Sequence, residues 1–418
     1  MAGRIQLATT GPQDQFFTWN PEYTHFKENF RKHKNFSTEF VHIEPDQVVD
    51  FGKIIRYSVN NDAGDLLRTV SFRFTLPALN QVNVGYIESV GHALIERVDF
   101  IVDGQIVQRV TSDWLQIYSE HYFTQSKQNA LYHLVGKYPE QVASLPAAHK
   151  DVLGYLGVST TDVDFYVDIP FYFYREPELA VPLCAMHDVQ IEVKLRDIKD
   201  LVVDVTDGSL PTLVSTYTIP EYTMECEMVF LDEDEKIYIK KSPKEYLITQ
   251  NQENIFVVPK GVHTAKFKLD FTNLVKELYF VIQSKGARVF DFDNYRQTTD
   301  EGQLVLYEHL RHLKLTLDGA EVLDETTGSV TFLKAVQAAI HHTKTQLIRR
   351  FYSYSFALEP EKHHPTGQVN FSVIKDQILE VNLNKNTLQD RQVRVYARAY
   401  NILRITEGKS TVIFNVQY

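Results

Sequence analysis

Cysteine is scarce: the 418-residue chain holds two, Cys184 and Cys226. Two thiols cannot staple a chain of this length, so stability has to come from buried apolar surface, and a reducing compartment is the default. Tryptophan and methionine are also few, with 2 and 4 residues. No apolar run approaches the ~18 residues that cross a bilayer as a helix, so any membrane contact is expected to be indirect, through a partner. The opening MAGRIQLATTGPQDQ lacks the basic-then-apolar order of a signal peptide, which points to synthesis and retention in cytosol-like conditions. A cation excess is missing too: 43 Lys and Arg stand against 54 Asp and Glu, for a net charge of -11. Coating of nucleic acid needs clustered Lys and Arg, so direct nucleic-acid binding is not expected.

What is present is phenylalanine and tyrosine, 26 and 23 residues, in stretches that alternate. Val70, Phe72, Phe74 and Leu76 point one way, with Ser71, Arg73 and Thr75 between them. Val98, Phe100 and Val102 repeat the pattern, as do Ile191, Val193 and Leu195. Later come Phe267, Leu269 and Phe271, then Leu313, Leu315 and Leu317, then Val393, Val395, Ala397 and Ala399. A period of two with one apolar face predicts antiparallel sheets packed on one side, and many such strands split by turns predict sandwiches.

The pattern occurs twice. VDFIVDGQIV around Asp103 and LKLTLDGAEV around Asp318 each lead into a helix-like run, from Trp114 and from Phe332. REPEL at Arg175 and LEPEK at Leu358 then precede the strands His187 to Leu195 and Lys375 to Leu383. Blocks recurring in one order predict two copies of one all-β domain. Positions 103 and 318 are 215 apart but positions 177 and 360 only 183 apart, so the first copy carries an excess of about 32 residues. That excess is expected as a surface insertion within about 125–165, with a second at about 196–220. The acidic LDEDEK stretch predicts a linker over 232–249. The predicted organisation is an N-terminal arm at 1–26, a first unit at 27–231, and a second at 250–418.

Asp103-Gly104 and Asp318-Gly319 are hairpin-turn signals. Asp113 with Gln116 predicts a capped helix start, and Ser126 a second. In the second copy Phe332, Val336, Ala339 and Ile340 keep the spacing of an apolar helical face.

Taken together, these blocks resemble the double jelly-roll major capsid proteins of nucleocytoplasmic large double-stranded DNA viruses, the phycodnaviruses and iridoviruses among them. The resemblance rests on GPQDQFFTWNPEYTHFK (Gly11 to Lys27), VDGQIV with SDWLQIYSE, FYFYREPELAVPLCAMHDVQIEV and VFLDEDE with EYLITQ. VKELYFVIQ, SYSFALEPEKHHPTGQVNFSVIKD and VYARAYNILRI complete the family order. It implies two tandem eight-stranded antiparallel jelly rolls with a few short helices. It also implies a homotrimeric, pseudo-hexagonal capsomer that tiles an icosahedral shell. The implied partners are neighbouring capsomers, penton and minor capsid proteins, and the implied location is the virion, assembled in host cytoplasm.

For an arm so polar, Phe16, Phe17, Trp19, Tyr23 and Phe26 are many rings, and Pro21 after Asn20 is expected to keep the chain extended. These residues, Phe16 through Phe26 with Asn20 and Pro21, are the assembly-interface candidates. No catalytic, metal or cofactor residues are assigned. His341-His342 and His363-His364 lack a converging set of further ligands in sequence, and a jelly-roll cupin needs a His-x-His that does not occur. The competing classes are a glycan-active jelly-roll enzyme, which as a hydrolase needs two carboxylates facing across a cleft, and a carbohydrate-binding surface protein. Asn35-Phe36-Ser37 and Asn370-Phe371-Ser372 fit the glycosylation pattern, but without a secretory route they are not expected to be used.

Overall fold

A computed structural model describes residues 2–28, 30–137, 161–204, 210–285, 297–298, 304–305, 308–345, 350–384, 390–414 and 416. The chain divides into two compact units, Met1–Phe36 and Ser37–Tyr418. In the first unit, helices α1 (Ala2–Ala8) and α2 (Pro12–Thr18) are short. Pro12 opens α2, where its missing N–H costs nothing, and the Gly11 N–H donates to Asp14 Oδ2 at 2.9 Å. Extended chain is therefore not what this segment adopts. Asn20, expected extended before Pro21, has φ 55°, a left-handed value that asparagine tolerates better than most residues.

The larger unit holds two jelly rolls in tandem. The first uses β1 (Phe36–Ile43), β2 (Ile54–Ser58), β3 (Leu66–Leu76), β4 (Ile95–Val102), β5 (Gln105–Thr111), β6 (Val163–Asp168), β7 (Val189–Leu195) and β8 (Glu221–Leu231). Its sheets run β1-β8-β3-β6 and β2-β7-β4-β5. The second uses β9 (Lys244–Val258), β10 (Thr264–Lys268), β11 (Leu274–Ser284), β12 (Leu310–Leu317), β13 (Ala320–Leu323), β14 (Phe351–Ser355), β15 (Gln377–Leu383) and β16 (Arg391–Thr406). Its sheets run β9-β16-β11-β14 and β10-β15-β12-β13, the same order. A further strand, β17 (Lys409–Val412), folds back on β16.

The duplication extends to irregularities. The β3–β8 register skips Arg68, and the β11–β16 register skips Lys276. Where β4 meets β7 the extra residue is Glu96, and where β12 meets β15 it is Arg311. Val107 and Val322 are bulged in the two hairpins. Bulges bend strands and reset twist, so identical placement gives both sheets the same curvature. The hairpins themselves turn at Asp103-Gly104 and Asp318-Gly319, all four with φ between 46° and 82°. Two consecutive positive φ values make the mirror-image turn that matches strand twist.

Inward-facing residues form two cores. Val70, Phe72, Phe74, Leu76, Val98 and Phe100 are fully buried in the first. Leu313, Leu315, Val393, Val395 and Ala397 are buried in the second. Phe267 is only half-buried, stacked on Phe256 at 4.4 Å between ring centroids.

Several expectations need correction. Helix α3 (Ser112–Tyr122) starts one residue before Asp113, and Thr111 caps it by accepting from the Trp114 N–H at 3.4 Å. Asp113 is turned to other partners. Helix α4 (Gln125–Val135) begins after Thr124, so Ser126 lies inside it. The stretch expected as a linker is structured: Asp232 caps α5 (Glu233–Lys241), and β9 begins at Lys244. Residues 332–341 are helical, but Phe332–Val336 is wound as a π-turn ahead of α6 (Gln337–His341). That wider winding turns Leu333, Lys334, Gln337 and Ala338 inward and leaves Val336 and Ile340 facing out. Most of the first expected insertion, 138–160, and residues 205–209 of the second lie outside the described residues.

Candidate assembly surfaces and the joint between the sandwiches

Helix α3 follows β5 and sits against the outer face of the second jelly roll's β9-β16-β11-β14 sheet. On strands β11 and β16 one set of side chains, Leu278, Phe280 and Val395 among them, fills the second core. The alternate set, Tyr279, Val281 and Tyr396, belongs to the first core instead. The sheet is thus buried on both faces, which explains why VKELYFVIQ reads as a near-continuous apolar run.

Charged groups pin this contact. Arg394 pairs with Asp113, and the Tyr396 hydroxyl donates to Asp113 Oδ2 at 2.6 Å and lies 2.7 Å from Glu253 Oε1. Arg398 reaches Glu277 Oε1 at 3.1 Å and also donates to the Tyr122 hydroxyl. Tyr122 donates to Glu277 Oε1 at 2.7 Å, and Tyr279 to Glu277 Oε2 at 3.1 Å. Trp114 meets Tyr279 edge-on at 5.5 Å, with the Arg398 guanidinium 5.7 Å from the Trp114 ring. Burial alone raises a carboxyl pKa; at Glu277 it is outweighed by Arg398, His342 and Lys276, which hold the group below the usual range. Glu253, by contrast, is raised by burial and by Asp113. Such a network is costly to desolvate and costly to break, because removing one partner strands the other.

The joint widens at its margins. Glu120 of α3 pairs with Lys137 and lies 3.7 Å from Lys344 Nζ, and the Lys344 N–H donates to the His121 carbonyl at 3.1 Å. The Ser410 N–H donates to Asp103 Oδ2 at 2.7 Å, so the first hairpin turn also grips β17. A cavity of about 170 Å³ remains in the joint, lined by Tyr118, Arg175, Asn251, Lys276 and Glu361 among others. Lys276, the bulged residue of β11, donates to the Pro360 carbonyl at 2.7 Å, and its burial lowers its pKa well below the usual lysine value.

The candidate residues of the arm are solvent-exposed. Phe16 and Phe17 lie on α2, edge-to-face at 5.5 Å, and Tyr23 stacks edge-on against His25 at 5.0 Å. Trp19 and Phe26 are exposed, Phe26 to 98%. Asp103, Gly104, Asp318 and Gly319 form the two hairpin turns. His342 lies between Glu277 and Glu361, at 3.8 and 3.4 Å. Among the described residues no group of three or more His, Cys, Asp or Glu converges as a metal site would.

The joint is not visible in the alternation pattern. Alternation marks the inward face of a strand and treats the other as solvated. The available signal was the alternation of Arg394, Tyr396 and Arg398 with apolar residues, beside Glu277 in an apolar run.

The geometry has counterparts. A family model described as "Major capsid protein N-terminus" matches residues 24–232, and one described as "Large eukaryotic DNA virus major capsid protein" matches 235–411. The major capsid protein of Pyramimonas orientalis virus is 29% identical over 99% of each chain. That of Paramecium bursaria Chlorella virus 1 is 25% identical over 98% of each chain. The solved PBCV-1 capsid shares the fold, with a TM-score of 0.77 and 19% identity over 94% of this chain and 100% of that one. The Faustovirus major capsid protein does so with a TM-score of 0.71 and 13% identity over 97% and 96%.

Proposed function

Since the chain belongs to the major capsid protein family of large eukaryotic DNA viruses, we propose that it is the shell-building subunit of such a virus. Three copies close into a pseudo-hexagonal capsomer, and capsomers tile the faces of an icosahedral shell. The observation that carries this reading is the repeated sandwich, with the same strand order and the same bulges in both halves, fused through a buried polar joint. Two like sandwiches held at one fixed angle let a three-fold assembly present six similar walls. Cyclic closure of this kind is self-limiting.

The acids of the joint support a structural role over a catalytic one. Asp113 and Glu277 are occupied by Arg394, Tyr396, Arg398 and Tyr122, so they hold the halves together and do not flank an open cleft as a glycan hydrolase requires. The domain reading that fits is an arm, a first jelly roll through Leu231, the capped helix α5 as the connection, and a second jelly roll from Lys244. The exposed rings of the arm serve contacts to neighbouring capsomers or to penton and minor capsid proteins. The protein resides in the virion, after assembly in host cytoplasm.

Electron cryomicroscopy of particles containing this protein tests the reading. Two upright jelly rolls per chain, six around each local three-fold axis, are expected. Particles whose shell is built of another chain would refute it.

A further inference from the structure

The two jelly rolls carry the same bulge and neutralise it differently. In the first, the bulged residue of β3 is Arg68, and its guanidinium reaches Glu227 Oε1 at 2.7 Å. In the second, the bulged residue of β11 is Lys276. Aligned through the bulges, Glu227, which pairs with Thr69, corresponds to Arg398, which pairs with Glu277. The duplicated fold thus sets an acid beside one bulged cation and a second cation beside the other. Glu277 is committed elsewhere, its oxygens accepting from Arg398, Tyr122 and Tyr279.

Lys276 is 0% exposed. Its ammonium donates to the Pro360 carbonyl at 2.7 Å and lies 5.1 Å from the Tyr400 ring centroid. An ammonium has three donors, and among the described residues no carboxylate stands at ion-pair distance from this one. Buried charges are tolerated when they are paired, so the Lys276 site lacks a counter-ion. Lys276 forms part of the wall of the cavity of about 170 Å³ in the joint. Asn251 stands in the same wall, and its Nδ2 has no hydrogen-bond partner among the described residues. Arg175 lines the cavity from an exposed position, 4.4 Å from the Phe123 ring centroid, and among the described residues it too has no carboxylate at ion-pair distance. The acids of the wall are Glu176 and Glu361. Glu361 is engaged by the Thr343 N–H at 2.7 Å and by His342 at 3.4 Å. Arg398 and Lys362, also in the wall, pair with Glu277 and Glu359. What remains is Lys276 and Arg175 against Glu176, an excess of positive charge.

We propose that this cavity binds one small oxyanion, an inorganic phosphate or a short carboxylate, with Lys276 and Asn251 donating from the wall and Arg175 at the mouth. An ammonium, an amide and a guanidinium all donate to such oxygens, and the charged donors do so most strongly. A volume of about 170 Å³ is that of about six water molecules at ~30 Å³ each. It falls below the roughly 300 Å³ at which pockets for drug-sized ligands begin, which excludes a glycan chain or a nucleotide. Trp114, Tyr118 and Tyr122 complete the wall and keep the local dielectric low, so charge pairing counts for more there than in water. Burial lowers the Lys276 pKa well below the usual lysine value, and an anion beside the group restores its charge. Arg175 belongs to the first jelly roll, Asn251 and Lys276 to the second. The bound ion therefore ties the two together, and the site needs no second copy of the chain.

The test titrates the full chain calorimetrically at neutral pH with inorganic phosphate and, separately, with acetate, each at constant ionic strength in chloride. Saturable binding of one equivalent per chain is expected for at least one of the two, and the ion that binds tells phosphate from carboxylate. Lys276→Met is expected to abolish binding, and Arg175→Gln, which alters an exposed side chain, to weaken it about tenfold or more. Lys199→Met, at an exposed lysine outside the cavity, is the control and should bind as wild type does. The saturating ion should also raise the melting temperature of wild type and leave that of Lys276→Met unmoved. Wild type that binds neither ion saturably overturns the proposal, as does binding that survives Lys276→Met. If circular dichroism shows that Lys276→Met does not fold, Arg175→Gln and Asn251→Leu decide: weakened binding in either supports the site, and unchanged binding in both overturns it.

Discussion

The Tyr122 hydroxyl, at the last turn of α3, donates to Glu277 Oε1 at 2.7 Å across the boundary between the two jelly rolls. Both groups are buried, and Arg398 completes the contact at 3.1 Å from the same oxygen. Glu277→Ala leaves Arg398 in a buried site without its acid, so a loss of about 3–5 kcal/mol is expected. Tyr122→Phe removes one hydrogen bond to a charged acceptor and is expected to cost about 1–3 kcal/mol. Urea denaturation of both variants and of the double variant measures this, and the pair should be strongly non-additive because the two groups share one network.

Acid should loosen the protein before it affects the backbone. Burial, with smaller contributions from neighbouring groups, lowers the His92, His121 and His309 pKa values to about 4. Between that value and the unfolded pKa near 6.5, the unfolded chain binds protons that the folded chain refuses. Stability therefore falls as pH drops from about 6.5 to 4, by up to ~1.4 kcal/mol per pH unit for each such histidine. Glu277, with its pKa depressed, contributes stability that is present above the unfolded carboxyl value and is lost as pH falls through its folded value. The two effects have the same sign. Melting temperature measured from pH 8 to pH 4 should fall below about 6.5, and His121→Gln should make that fall shallower.

Matched turns should respond alike. Gly104 and Gly319 have φ of 75° and 82°, and nothing lies within 4 Å of where a Cβ would sit. Gly104→Ala and Gly319→Ala thus meet no clash and carry only the left-handed backbone cost, about 1–2 kcal/mol each. Equal shifts in thermal melts are the expected result. A much larger effect at one turn would show that the two hairpins are not equivalent.

Deletion of residues 1–26 should leave capsomers intact and impair their joining into shells. Native mass spectrometry checks the first half, and electron microscopy of co-expressed assembly products checks the second. The motivating fact is the exposure of Phe16, Phe17, Trp19, Tyr23 and Phe26. Normal shells from the truncated chain would remove the arm from the assembly.

Much of the fold is legible in the residues because sandwich strands carry one apolar face. Phe72, Phe74, Leu313 and Val395 alternate with polar neighbours, and all four are buried. The repeated Asp-Gly turns and the 215-residue offset also hold through the bulges at Glu96 and Arg311. The joint was hidden for a physical reason. Arg394, Arg398, Glu277 and Asp113 read as solvated residues because an isolated charge is rarely buried, and only pairing between residues far apart in the chain, Asp113 with Arg394 and Glu277 with Arg398, makes burial tolerable. The 332–341 helix misled in the opposite direction. Its apolar spacing is visible, but with Phe332–Val336 wound as a π-turn, Phe332 stays packed on the second core while Val336 and Ile340 face out.

The native mass of the intact chain at neutral pH decides whether three copies close into a capsomer. A species of three chains that persists on dilution is expected, since an obligate interface repeated three times buries surface on the scale of permanent assemblies. A stable, folded monomer across the same concentrations would contradict it.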